Sequence, residues 1–178
     1  MELPEELASR PPRKEGQQPS ATLTLDAYSR LKGELDELKT TGRTRMAERL
    51  LAARELGDIS ENAEYDSAKD EQGLMEARIR KLEQMLRDPE IIETPASADA
   101  VIAGMVVTVR PLDDDHPEDE IYLLADSAEE RAQGVRTITT TSPLGSALLG
   151  SKIGDEVAYE APGGKFRYQV VEFRPMGA

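Results

Sequence analysis

Gly57-Asp58-Ile59-Ser60-Glu61-Asn62-Ala63-Glu64-Tyr65 divides two long stretches that share one kind of periodicity. Upstream, Tyr28, Leu31, Leu35 and Leu38 are spaced 3, 4 and 3 apart; after a slip the pattern resumes at Met46, Leu50 and Ala53. Downstream, Tyr65, Ala68, Gln72, Met75, Ile79, Leu82 and Leu86 are spaced 3 or 4 apart without a break. Two such stripes joined by a short turn predict an antiparallel helical hairpin with a coiled-coil seam. Helices of about 30 residues rising ~1.5 Å each make arms roughly 45 Å long, with Asp58 and Glu61 at their turn.

The flanks complete the outline. Residues 1–21, with Arg10-Pro11-Pro12-Arg13-Lys14 and Gly16-Gln17-Gln18-Pro19-Ser20, are polar and Pro-rich, which predicts a disordered tail and no signal peptide. The hairpin is expected over 22–92, starting at an N-cap Thr24 and ending before Pro89. Ala27 stands where a capping-box acid belongs, so the local sequence supplies half of that motif. Gly42 falls at the slip in the stripe and predicts an irregular turn there. From residue 99 to 178 the pattern changes to short β-prone runs: Met105–Arg110, Glu120–Leu124, Arg136–Thr140, Glu156–Glu160 and Phe166–Phe173. A short helix is expected in Ser142–Gly150, with Pro143 in its first turn. The fold class is therefore α+β: a helical hairpin followed by a small β-rich domain.

Bulk composition narrows the function. The 178-residue chain carries a formal charge of -13, so phosphate backbones repel it and autonomous nucleic-acid binding is disfavoured. A basic protein surface or a metal is the better partner. There is no Cys, which excludes disulfides and thiolate metal sites and suits a reducing, cytoplasmic setting. No apolar run is long enough for a membrane span. His116 stands alone in the acidic run Asp113–Glu120, without a second zinc-type ligand.

Asp58 and Glu61 are three residues apart and can share one face of a turn or helix. Two readings stand side by side. Asp58-Ile59-Ser60-Glu61 has the form of an N-cap followed by an acid at the third helical position. The same pair can ligate one hard cation, although two carboxylates alone hold Mg²⁺ only loosely. Arg54 and Lys69 flank the turn and could meet a phosphate, or simply form part of a solvated face.

The segments Leu25–Leu38, Ala53–Arg78 and Thr141–Glu156, with Ala161-Pro162-Gly163-Gly164, resemble the GreA/GreB family of bacterial transcript-cleavage elongation factors, and its GreA branch in particular. The G-D-x-x-E-N-A-E-Y block followed by A-x-x-E-Q-G is the most specific element of the likeness. The resemblance implies a coiled-coil N-terminal domain and an FKBP-like C-terminal domain. It implies insertion of the hairpin into the secondary channel of bacterial RNA polymerase, where Asp58 and Glu61 help hold a Mg²⁺ shared with the polymerase. The polymerase itself then cleaves the RNA of a backtracked complex, so the factor is not an enzyme alone. By the same match Arg54 and Lys69 lie near the nascent RNA 3′ end, and Thr141, Ser142 and Pro143 dock on the channel rim. The implied protein is a cytoplasmic monomer without a stably bound cofactor.

Alternatives remain. A regulator could occupy the same channel without promoting cleavage. A prolyl isomerase would need an aromatic cage, for which this domain offers Tyr122, Tyr159, Phe166, Tyr168 and Phe173, residues that in strands more often build a core. A purely structural coiled coil would leave the β-rich domain unexplained.

Overall fold

A computed structural model describes residues 4–55, 63–93, 98–114 and 116–176. The chain divides into two units, Met1–Ala21 with Tyr28–Glu90, and Thr22–Ala27 with Ile91–Ala178.

The first unit is helical. After a short α1 (Glu5–Ala8), the upstream arm comprises α2 (Leu25–Glu37), a π-helical turn at Leu38–Gly42 and α3 (Arg43–Glu55); the downstream arm is α4 (Ala63–Leu86). All fourteen positions of the two stripes are buried or half-buried, whereas Leu51 and Leu74, which lie off them, are exposed. Burial of one stripe per helix is what stabilises such arms, since propensity alone leaves helices of this length marginal. Partner numbers fall along α4 as they rise along α3: Arg43 pairs with Glu76, Arg49 with Glu71 and Arg54 with Tyr65. That order is the signature of an antiparallel hairpin. Arg78 binds Glu34 at 2.6 Å and Lys39 binds Glu83 at 2.8 Å, adding cross-links around the π turn.

The π turn explains the slip in the stripe. Leu38 to Met46 spans one residue more than a heptad. A π turn closes over i→i+5 and absorbs one extra residue without rotating the rest of the stripe off the seam. Thr40 Oγ1 donates to the Asp36 carbonyl at 2.6 Å, and Thr44 Oγ1 to the Thr40 carbonyl at 3.3 Å, supplying donors where the regular ladder is disturbed.

The tail differs from the disorder expected of it. Ser20 Oγ donates to the Met85 carbonyl at 2.7 Å and Arg10 Nη2 to the Leu86 carbonyl at 3.0 Å. Arg13 pairs with Asp88 at 2.9 Å. The last carbonyls of α4 lack helical donors, and the tail supplies them together with cationic charge at a helix C-terminus. Composition reported a polar, Pro-rich segment without an apolar core but could not report this polar work.

β1 (Thr22–Thr24) pairs with β2 (Glu90–Ile92), neither expected from the sequence, and the second unit contains a five-stranded sheet. The sheet consists of β3 (Met105–Pro111), β4 (Glu120–Ala125), β5 (Arg136–Thr139), β6 (Glu156–Ala161) and β7 (Gly164–Pro175), in the order β5-β4-β3-β7-β6. Only β4 and β5 run parallel; the other pairs are antiparallel. α5 (Pro143–Leu148) lies between β5 and β6 in sequence and places Leu144 and Leu148 in the main core. Alternation along β3 sends Met105, Val107 and Val109 to that core and Val106 to a smaller cluster with Leu123 and Ala125.

The half-finished capping box at Thr24 is completed by a residue 106 positions away. Thr24 Oγ1 accepts from the Ala27 amide at 3.2 Å. Buried Glu130 accepts from the Thr24 amide at 2.7 Å and from the Thr24 hydroxyl at 2.8 Å. It does what an acid at Ala27 would have done locally. Glu130→Ala is expected to lower the stability of this unit by about 1–3 kcal/mol, the typical result of stranding a buried donor. Urea unfolding followed in the β-rich unit measures it, and an unchanged midpoint would mean that water replaces the carboxylate without loss.

Candidate functional site

In sequence, the acidic segment falls between the end of α3 at Glu55 and the start of α4 at Ala63. Asp58 and Glu61 fall outside the described residues. What is described is the pair of helix ends that carries them. Ala53 and Ala68 are buried there, and side chains that small let the two helices approach closely. Arg54 reaches across: its Nη2 donates to the Tyr65 hydroxyl at 3.2 Å, and its guanidinium carbon lies 5.5 Å from the Tyr65 ring centroid. The hydrogen bond from Arg54 lowers the Tyr65 pKa below the ordinary phenol value, because a nearby cation favours phenolate. Exposed Lys69, one helical turn beyond Tyr65, donates from Nζ to Gln72 Oε1 at 2.7 Å. Among the described residues no group of three His, Cys, Asp or Glu side chains is arranged to hold a metal.

Thr141, Ser142 and Pro143 form a turn in the second unit, immediately before and at the start of α5. Ser142 is the N-cap: its Oγ accepts from the Gly145 amide at 3.1 Å and donates to the Thr139 carbonyl at 2.7 Å. The Ser142 amide also donates to the Thr139 carbonyl, at 2.9 Å. Thr141 Oγ1 lies 3.2 Å from Thr139 Oγ1. The cap thus locks the turn while leaving Thr141 and Pro143 exposed. The two sets of predicted residues belong to different units: Arg54 and Lys69 to the first, Thr141–Pro143 to the second.

Other titratable groups are engaged structurally. Asp113 pairs with Arg167 at 2.6 Å and Asp119 with Arg110 at 2.7 Å, and those bonds hold both carboxyls below the usual range. The acidic loop is therefore tied to β7 and β3 by ion pairs. Tyr122 and Tyr168 are buried, and both hydroxyls donate to Glu120. Burial, then the Glu120 contact, pushes Tyr122 up to about 12; burial also raises Tyr168. Tyr159 stacks on Phe166 and Tyr168 with centroids 5.4 and 6.1 Å apart, and these rings pack with the main core. Among the described residues no helix is long and apolar enough to cross a membrane.

Tyr65 is the residue that sequence reading assigned only to the seam. Its signal was present in the E-N-A-E-Y block, where an aromatic follows the acidic turn directly and faces an arginine on the other arm.

Known proteins match both units. A family model described as "Transcription elongation factor, N-terminal" matches residues 21–91, and one described as "Transcription elongation factor, GreA/GreB, C-term" matches residues 96–175. The chain is 46% identical over 150 residues to "Transcription elongation factor GreA" of Thermotoga neapolitana, covering 84% of this chain and 94% of that protein. It is 44% identical over 143 residues to the protein of the same name from Streptomyces coelicolor, covering 80% and 86%. The crystal structure of GreA factor homolog 1 (Gfh1) of Thermus thermophilus aligns at 30% identity over 86% of this chain and 98% of that one, with a TM-score of 0.36. With a helical hairpin under one family model, a β-rich domain under the other and GreA relatives over most of its length, this chain belongs to the GreA/GreB family of transcription elongation factors.

Proposed function

We propose that the chain acts on bacterial RNA polymerase as a transcript-cleavage factor. Its hairpin enters the secondary channel, and the polymerase cleaves the RNA of backtracked, arrested complexes. The observation that supports this most directly is an acid pair, Asp58 and Glu61, in the segment of sequence that joins two antiparallel helices of a GreA/GreB chain. The donor set suits a shared Mg²⁺: two hard oxygen ligands leave most of an octahedral shell to water and to the polymerase. When bound there, the ion supplies Lewis acidity and an activated water.

The chain's own residues have separable tasks. Asp58 and Glu61 supply carboxylates; Arg54 and Lys69 face the RNA 3′ end; Thr141, Ser142 and Pro143 contact the channel rim. A net charge of -13 disfavours RNA binding away from the polymerase, so the chain contributes ligands in trans and is not a nuclease by itself. A cytoplasmic location follows from that partner.

The test is transcript cleavage in halted elongation complexes with and without the purified chain. Shortening of the RNA from its 3′ end is expected to be accelerated over the polymerase's own slow cleavage only when chain, polymerase and Mg²⁺ are all present. Binding without cleavage would instead favour a channel-occupying regulator, and cleavage of free labelled RNA without polymerase would overturn the in-trans reading.

A further inference from the structure

We propose that Tyr65 is a positioning residue: it presents the Arg54 guanidinium, and the two side chains act as one unit toward an RNA phosphate. The proposal rests on the cleavage reading given above and deepens it.

Three observations converge on the pair. Arg54 is the penultimate residue of α3 and Tyr65 the third of α4, so their contact joins both arms close to the acidic segment. The geometry combines two interactions, an N–H···O bond at 3.2 Å and a cation 5.5 Å from the ring centroid. Arg54 is exposed whereas Tyr65 is half-buried, which makes the ring the fixed member and the arginine the presented one. A free arginine side chain samples many rotamers and loses that freedom when it binds. Resting on Tyr65, Arg54 has already lost part of it. The hydrogen bond to Tyr65 uses one of five guanidinium N–H donors, leaving a fork suited to phosphate oxygens. Lys69 donates instead to Gln72, on its own helix.

A tyrosine that only packs in the seam would contribute through its ring alone and independently of Arg54. A positioning tyrosine is coupled to it. The experiment is a double-mutant cycle in halted polymerase complexes, reading the maximal cleavage rate separately from the factor concentration that gives half of it. Tyr65→Leu is expected to lower the maximal rate about 3- to 10-fold with the half-saturating concentration unchanged, the range expected for losing a cation–π contact and a charged hydrogen bond. Tyr65→Phe, which keeps the ring, is expected to lose less. Adding Tyr65→Leu to Arg54→Ala is expected to cost nothing further.

A second measurement does not depend on cleavage. The Tyr65 ring resonance in the free protein is expected to titrate at lower pH in the wild type than in Arg54→Ala, with Asp66 and Lys69 present in both. Coincident titrations would overturn the pairing, and so would multiplicative losses in the double mutant. A Tyr65→Leu protein that melts like wild type and cleaves like it overturns this proposal alone. A wild-type chain that stimulates no cleavage overturns the cleavage reading and this proposal with it.

Discussion

Asp58→Ala and Glu61→Ala are each expected to reduce the maximal rate of stimulated cleavage by about 100-fold or more, the usual scale for removing a group that stabilises a transition state. Affinity for polymerase is expected to change little, because the proposed rim contacts lie in the other unit at Thr141–Pro143. The two effects separate in a titration of factor against halted complexes: the plateau falls while the midpoint stays. Folding is expected to survive, since losing an N-cap costs only about 0.5–2 kcal/mol. That margin also decides between the two readings of the acid pair. If both variants reach the wild-type plateau and differ only in melting temperature, the carboxylates are helix caps and nothing more.

Gly145→Ala is expected to have the largest structural effect in the β-rich unit. An added Cβ at Gly145 would lie 2.0 Å from the Thr139 carbonyl oxygen and 2.9 Å from Ser142 Oγ. The first of these is backbone at the end of an edge strand, so it cannot simply rotate away. The same carbonyl accepts from the Ser142 amide and hydroxyl, and the Gly145 amide donates back to Ser142. Forcing α5 outward therefore breaks the cap and shifts Leu144 and Leu148, which are buried in the main core. Overpacking at such sites costs about 1–3 kcal/mol and occasionally more, and this contact belongs at the upper end. Because the displaced turn carries Thr141–Pro143, binding to polymerase is expected to weaken with stability, and excess protein to restore cleavage. A Gly145→Ala protein with wild-type melting and binding would show that the turn relaxes freely, against the close approach found here.

Much of this architecture was legible in the residues. Every stripe position is buried or half-buried because a helix repeats its face every three or four residues, and burial of that face is the dominant local signal; buried Ala27 lies off the stripe. The five strands of the main sheet were found within one or two residues at most of their ends, since alternation and turn residues are equally local. The irregular turn at Gly42 was foreseen for the same reason, although only the backbone identified it as a π turn. The acid pair, the flanking cations and the helix start at Ser142-Pro143 stand out locally, but the roles expected of them came from the likeness to a family pattern, because spacing left Asp58-Ile59-Ser60-Glu61 equally readable as a cap.

Other features depend on partners distant along the chain. Glu130 completing the cap at Thr24, and the tail donating to the last carbonyls of α4, both join residues more than 60 positions apart. β1 and β2 are three residues each, too short for periodicity to reveal, and they form because each supplies the other's hydrogen bonds. Tyr65 carried the same ambiguity: its place in the stripe predicted burial, and only the opposite helix shows that its hydroxyl receives Arg54. Hydrophobic pattern repeats along the sequence, so one strand or helix reports it alone. A polar group is satisfied by whichever donor or acceptor folding brings within about 3 Å, and that choice exists only once the chain is folded.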